Sequence, residues 1–265
     1  MKDFNTPRII FLAITVAFAI STFKIYFPNK DEIKKVSAPQ KKTKENESKR
    51  PRSFNFSDKQ TPVKDKIESL KNLQNTKKTP KKFIQVIELK NEFLAIQYLK
   101  EVSPDYIYEQ DLMTPLMLLI EANMKTAFTE VLDRVKNVDH QNKYGATALV
   151  LSSGGGDLSI SKALLEKGAN PNIKFNKRNF TLLMDASFEG NQELLELLIK
   201  FGAEINTQDK DGKSALHYAA KEGHQGLIPT LLSKGADKTQ RDNKGMTAYD
   251  YAFKEGFLKI VEDLK

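Results

Sequence analysis

The feature that most constrains this chain is a short hydroxyl-led segment that returns at a nearly fixed interval. TPLM begins at Thr114, TALV at Thr147, TLLM at Thr181, SALH at Ser214 and TAYD at Thr247, so the intervals are 33, 34, 33 and 33 residues. A period of this length signals stacked copies of one small unit, none of which can bury its apolar face alone. Other columns keep the register. Nine residues after each hydroxyl come Asn123, Gly156, Gly190, Gly223 and Gly256, and two before come Leu112, Gly145, Asn179, Gly212 and Gly245. Twenty-one after come Val135, Gly168, Gly202 and Gly235.

Each column has a mechanical reason. The hydroxyl is placed to cap a helix by accepting a bond from a free amide of the first turn. Glycine supplies left-handed backbone angles, and Asn179 is the next best tolerated residue there. Two short helices fill each unit; in the fourth they are expected at 214–222 and about 225–234. Leu216, Ala219, Leu227, Leu231 and Leu232 fall on one face of that pair, and Ala186, Ala219 and Ala252 leave room for close approach between units. Pro229 lies near the first turn of its helix, where the missing N–H is tolerated.

This pattern resembles the ankyrin repeat family. Residues 209–237, DKDGKSALHYAAKEGHQGLIPTLLSKGAD, nearly reproduce the family's D-x-x-G-x-T-P-L-H-x-A-A-x-x-G-H…LL…GA pattern. The resemblance covers 79–265 and implies an all-α ankyrin-repeat solenoid: about five repeats, a degenerate N-terminal helix pair and short hairpin-like loops. Three departures stand out. NPNIKFNKRNF carries one extra residue, the unit at Thr114 lacks both turn glycines, and the last unit stops at the end of its second helix. Upstream, TPKKFIQVIELKNEFLAIQYLKEV reads as the degenerate pair, with Thr79 capping and Pro80 at the first helical position.

The register also judges the chemistry. His217 and His224, close to Asp211 and Glu222, look at first like a metal or acid–base cluster. Yet the column of His217 holds Met117, Val150, Met184 and Asp250, and that of His224 holds Met124, Asp157, Asn191 and Phe257. A ligand or base has no reason to alternate with methionine and phenylalanine. The resemblance implies that both are turn and cap residues. His140 falls in a loop column and is expected to be solvated. Gly154–Gly156 is not a phosphate loop, because no Lys-Ser/Thr follows it, and 209–212 lack the spacing of a calcium loop. No cysteine is present to act as nucleophile or zinc ligand. No catalytic, cofactor or metal residue is assigned, and an enzyme is not expected.

The net charge of +8 is unevenly spread. Residues 28–82 hold 17 Lys/Arg against 7 Asp/Glu, a surplus of +10, whereas 83–265 hold 22 against 26, or −4. The basic character therefore belongs to a segment and speaks against a nucleic-acid groove in the repeats. Residues 28–78 are rich in Lys, Ser, Asn and Pro and read as a disordered basic linker. They serve either as a plain spacer or, with Lys81 and Lys82, as a contact to an anionic membrane surface. Residues 1–27 hold the uncharged run 9–23 behind Lys2 and Arg8, extended to Phe27 with Lys24 snorkelling. That is either an uncleaved signal-anchor helix or a cleaved signal peptide, with Ala17-Phe18-Ala19 as the small-residue site. An extracytoplasmic repeat region, periplasmic or cell-surface, is expected, although Lys24, Lys30, Lys34 and Lys35 downstream favour the cytoplasmic-facing orientation.

Function then falls to the repeat surface: binding of a protein partner through hairpin tips and the exposed side of the first helices. The candidate contact residues are Tyr144, Lys177, Arg178, Phe180, Phe188, Lys210, Lys213, Lys221, Lys244 and Met246. Phe180 and Phe188 stand at columns that normally face water, so they are either an aromatic hot spot or residues buried by the extra residue before Phe180. An inhibitor or immunity-type protein occluding an envelope enzyme, and a polyanion or lipid binder acting through the tail, are the alternatives. A monomer is expected.

Overall fold

The hydroxyl columns do begin helices. The computed structural model describes residues 69, 71–74, 78–155 and 158–265. The apolar run and nearly all of the basic segment lie outside them. Among the described residues from 80 on, twelve α-helices follow one another in pairs: α1 (Pro80–Glu88) with α2 (Glu92–Glu101), α3 (Pro115–Glu121) with α4 (Lys125–Leu132), and α5 (Ala148–Ser152) with α6 (Leu158–Glu166). The series continues with α7 (Leu182–Glu189) and α8 (Gln192–Lys200), α9 (Ala215–Lys221) and α10 (Leu227–Ser233), and α11 (Ala248–Glu255) and α12 (Leu258–Leu264). A 3₁₀ turn over Ser153–Gly155 extends α5. The described residues form no strand, only the isolated bridges Tyr108–Met113 and Phe175–Phe180.

The hydroxyls of Thr114, Thr147, Thr181 and Thr247 accept from the amides of Met117, Val150, Met184 and Asp250. Pro115 occupies the first position of α3, where no N–H is needed. Thr79 sits at the cap position of α1, but its side chain makes no capping bond, so Pro80 is the stronger start signal there. The alanine column packs as expected: Ala186, Ala219 and Ala252 are at most 1% exposed, and leucines of both helices fill the space around them. Leu73 joins this core and accepts a bond from the hydroxyl of buried Tyr98 (3.1 Å), so the chain upstream of α1 packs on the degenerate pair.

The unit without turn glycines reaches the same backbone at a cost. Leu112 adopts φ +53°, in the column where Gly145, Asn179, Gly212 and Gly245 are all left-handed. A branched side chain in that region is disfavoured, and Leu112 is still 42% exposed, so burial does little to offset the strain. Gly212 shows the opposite case, since a Cβ there would meet Asn243 Oδ1 at 2.7 Å and the Asn243 amide at 2.8 Å. Leu112→Gly is expected to stabilise the chain by about 0.5–1 kcal/mol and Gly212→Ala to cost more than about 1 kcal/mol, both read from denaturant midpoints.

Candidate functional site

The hairpins between units are built around one Asn or Asp column, buried at Asn142, Asp209 and Asp242. Asn142 Oδ1 accepts from the amides of Tyr144 and Ala146 (both 3.0 Å), and Asp209 Oδ1 from those of Asp211 and Lys213 (both 2.9 Å). Asp242 Oδ1 takes Lys244 and Met246 (both 2.9 Å), and Asn176 takes Arg178 (2.8 Å). Backbone bonds then join tip to tip: the Lys143 amide donates to Asp111 O (3.0 Å), Lys210 to Arg178 O (2.9 Å) and Asn243 to Asp211 O (3.0 Å).

Where the column holds an acid, its second oxygen needs a donor. Tyr218 OH donates to Asp209 Oδ2 and Tyr251 OH to Asp242 Oδ2, each at 2.6 Å and each from nine residues further on. Burial, followed by these bonds to a carboxylate, pushes both phenols well above the usual tyrosine range. Burial pushes the Asp242 carboxyl up, but the Tyr251 hydroxyl and the Met246 and Lys244 amides outweigh it and hold it below the usual range.

Tyr218 gathers several of the expected contact residues. The Phe180 and Phe188 rings meet it edge-on at 5.0 and 6.1 Å. Lys213 Nζ lies 5.9 Å from its centroid and 5.3 Å from that of Tyr251, bridging two units. Arg178 pairs with Asp211 and approaches Asp209 Oδ2 at 3.9 Å. Phe180 and Phe188 are half-buried, which lies between the two expectations for them; Phe180 also bridges Phe175 through two backbone bonds. Lys177, Lys210 and Lys244 are exposed at the tips. Half-buried Tyr144 lies under Lys143 Nζ (5.0 Å), and Lys221 pairs with Glu222 (2.7 Å). Met246 is half-buried and contributes its carbonyl to His217. Tyr144, Lys177, Lys210, Lys221, Lys244 and Met246 thus stand outside the Tyr218 cluster.

The histidines serve the stack. His217 is 1% exposed; its Nδ1 accepts from the Ser214 amide (3.1 Å), closing a capping box, and its Nε2–H donates to Met246 O of the next unit (3.1 Å). His224 Nε2–H donates to Phe188 O (2.8 Å). His140 differs from the expectation of a solvated loop: it is half-buried and donates from Nε2 to Leu112 O (2.8 Å). All three carry one unit's hydrogen bonding into its neighbour.

Fold and site together define a helical-repeat protein whose conspicuous polar side chains are structural. Residues 144–176 match the ankyrin repeat model and 183–265 match the model of three ankyrin repeats, so the chain carries ankyrin repeats over these residues. It is 36% identical over 110 residues to the fruit fly (Drosophila melanogaster) ankyrin repeat and KH domain-containing protein mask, and 34% identical over 87 residues to the rat (Rattus norvegicus) ankyrin repeat and SAM domain-containing protein 6. These matches span 37% and 32% of this chain but only 3% and 10% of those proteins. A crystal structure of an ankyrin repeat protein superposes with a TM-score of 0.63 at 24% identity, covering 69% of this chain and 95% of that one. Repeats of this family are generally non-catalytic protein–protein interaction modules.

Two outcomes follow for the buried polar groups. Burial holds the His217 pKa below its ordinary value, with Asp242 and the Met246 carbonyl raising it and Lys213 lowering it further. The unfolded chain therefore takes up the proton first: stability is full above about pH 6.5 and falls as pH drops below it, whereas Asp242 and Asp250 weaken only below about pH 4. His217→Gln should flatten the first step in urea melts across pH. Tyr218→Phe should cost about 1–3 kcal/mol by stranding Asp209, and Asp209→Asn beside it should recover part of that, since Asn142 manages with Leu151 nine residues on.

Proposed function

We propose that the repeat region binds a protein partner across its hairpin tips, with Lys177 and Lys210 as contact charges, the Lys244 tip beyond them and the Tyr218 cluster as rigid backing. The observation that carries this reading is the tip-to-tip backbone ladder, which holds exposed side chains of successive units in fixed register before any partner arrives. Preorganised side chains lose little entropy on binding. Half-buried Phe180 and Phe188 supply apolar area at the edge of this surface rather than free-standing anchors. Tyr144, Arg178, Lys213, Lys221 and Met246 then act chiefly by shaping the ground on which the partner sits.

The apolar run and basic segment are proposed to export and tether the repeats on the extracytoplasmic side, the segment resting near anionic lipid. Among the described residues no helix is long and apolar enough to cross a membrane, and the run at 9–27 lies outside them. Lys177→Glu with Lys210→Glu should leave the melting temperature within a degree or two and weaken capture of the partner from envelope extract about tenfold or more. Unchanged capture would remove the tips from the binding surface. Fusing residues 1–80 to a reporter active only outside the cytoplasm tests the tether; a silent but intact fusion would reverse the orientation.

A further inference from the structure

Units inside the stack mostly bury two first-helix columns that the fifth unit leaves half-buried at Tyr249 and exposed at Phe253. Two residues after the hydroxyl, Leu116, Leu149, Leu183 and Leu216 are each at most 2% exposed. Six after, the column holds Ile120, Ser153, Ser187 and Ala220, of which Ser187 and Ala220 are fully buried. In the fifth unit these columns hold Tyr249 and Phe253, whose rings stack at 6.2 Å and 8°, with Phe253 64% exposed. Eleven after, the column holds Lys125, Leu158, Gln192 and Gln225, of which only Leu158 is apolar and packs against the core, lining with Ser159 and Lys162 the groove toward α8; in the fifth unit it holds Leu258, 70% exposed. Lys259 and Glu262 stand in the Ser159 and Lys162 columns and are exposed.

A helix face turned to water is expected to carry polar residues in such columns. Here it carries Phe253, stacked on half-buried Tyr249, and Leu258. Stacking another unit in the internal manner would also force phenylalanine into a column where no internal unit holds so large a side chain. We propose that this face pairs with the same face of a second copy of the chain, about a two-fold axis. Each copy presents an apolar centre beside one base and one acid on successive turns of α12, and two-fold symmetry makes such a rim self-complementary. Phe253 and Leu258 pack across the axis, and Lys259 of each copy meets Glu262 of the other. This leaves the hairpin tips free and does not depend on what they bind. A monomer, as the sequence suggests, is the competing reading.

The test is sedimentation of the full chain at about 10–300 µM, a range suited to a modest interface, in mild detergent so that residues 9–27 do not themselves drive association. Dimer mass is expected. Phe253→Glu should give monomer over the whole range, while Phe93→Glu, at an equally exposed ring in α2, should not. Lys259→Glu should weaken association about tenfold by placing like charges opposite one another, and adding Glu262→Lys should restore it. A monomer at every concentration, association indifferent to Phe253→Glu, or a double swap no tighter than the single one would each overturn the proposal.

Discussion

Much of the stack depends on a carbonyl-like oxygen buried in the hairpins at Asn142, Asp209 and Asp242. A tight loop leaves amides pointing inward with no helix to satisfy them, and burying an unpaired amide costs about 1–3 kcal/mol. Asn142, Asp209 and Asp242 each place one side-chain oxygen between two such amides. The turn is thereby closed from inside, and its outer amide is free to bond the neighbouring tip. The choice between the two residue types has a consequence nine positions later. An amide can spend its nitrogen on a weak acceptor, as Asn142 does toward Met113 Sδ (3.5 Å). A carboxylate cannot donate, so its second oxygen requires a hydroxyl, and Tyr218 and Tyr251 supply it.

That requirement links loop to helix and unit to unit. Tyr218 is held by Asp209 below, receives Phe180 and Phe188 edges from the preceding unit, and shares Lys213 with Tyr251 of the following one. The ammonium has lost much of its hydration there, which pulls the Lys213 pKa down, but it gains two ring faces and nearby carboxylates. The histidines act by the same rule. A carbonyl can only accept, so Nε2 of His140, His217 and His224 carries the proton, and for His217 the capping bond leaves Nδ1 as acceptor. A histidine with both nitrogens committed to backbone has no lone pair to spare for metal or substrate.

Repeat fold, unit boundaries and caps were legible because they rest on local rules acting at one period. A hydroxyl before an apolar turn and a glycine after it mean the same thing in every copy, and comparing copies gives His217 and His224 structural places, where each bonds a carbonyl of a neighbouring unit. The Asp209–Tyr218 and Asp242–Tyr251 pairs were equally visible as an acid with tyrosine nine residues on, against Asn142 with Leu151 and Asn176 with Asp185. They were missed because a partner nine residues away across a helix start has no local signature. The degree of burial of Phe180 and Phe188 was not legible at all. It depends on which ring the next unit offers, and that ring, Tyr218, is set by the carboxylate chemistry of Asp209. His140 misled for a related reason: its acceptor is Leu112 O, a carbonyl presented by a residue in an unexpected left-handed conformation.

The same architecture sorts charge. Residues 83–265 carry more acid than base, yet Lys143, Lys177, Arg178, Lys210, Lys213 and Lys244 all sit on hairpins. Acids are prominent on and after the second helices, at Glu193, Glu196, Glu204, Glu262 and Asp263. Within the hairpins Asp111 and Asp211 neutralise Lys143 and Arg178 of adjoining units, which tightens the ladder and leaves Lys177 and Lys210 as the outward charges. A region of small net charge is polarised in this way, with bases gathered along the hairpins. Because the hairpins are fixed by buried hydrogen bonds rather than by long side chains searching for a pose, their charge spacing follows the repeat itself.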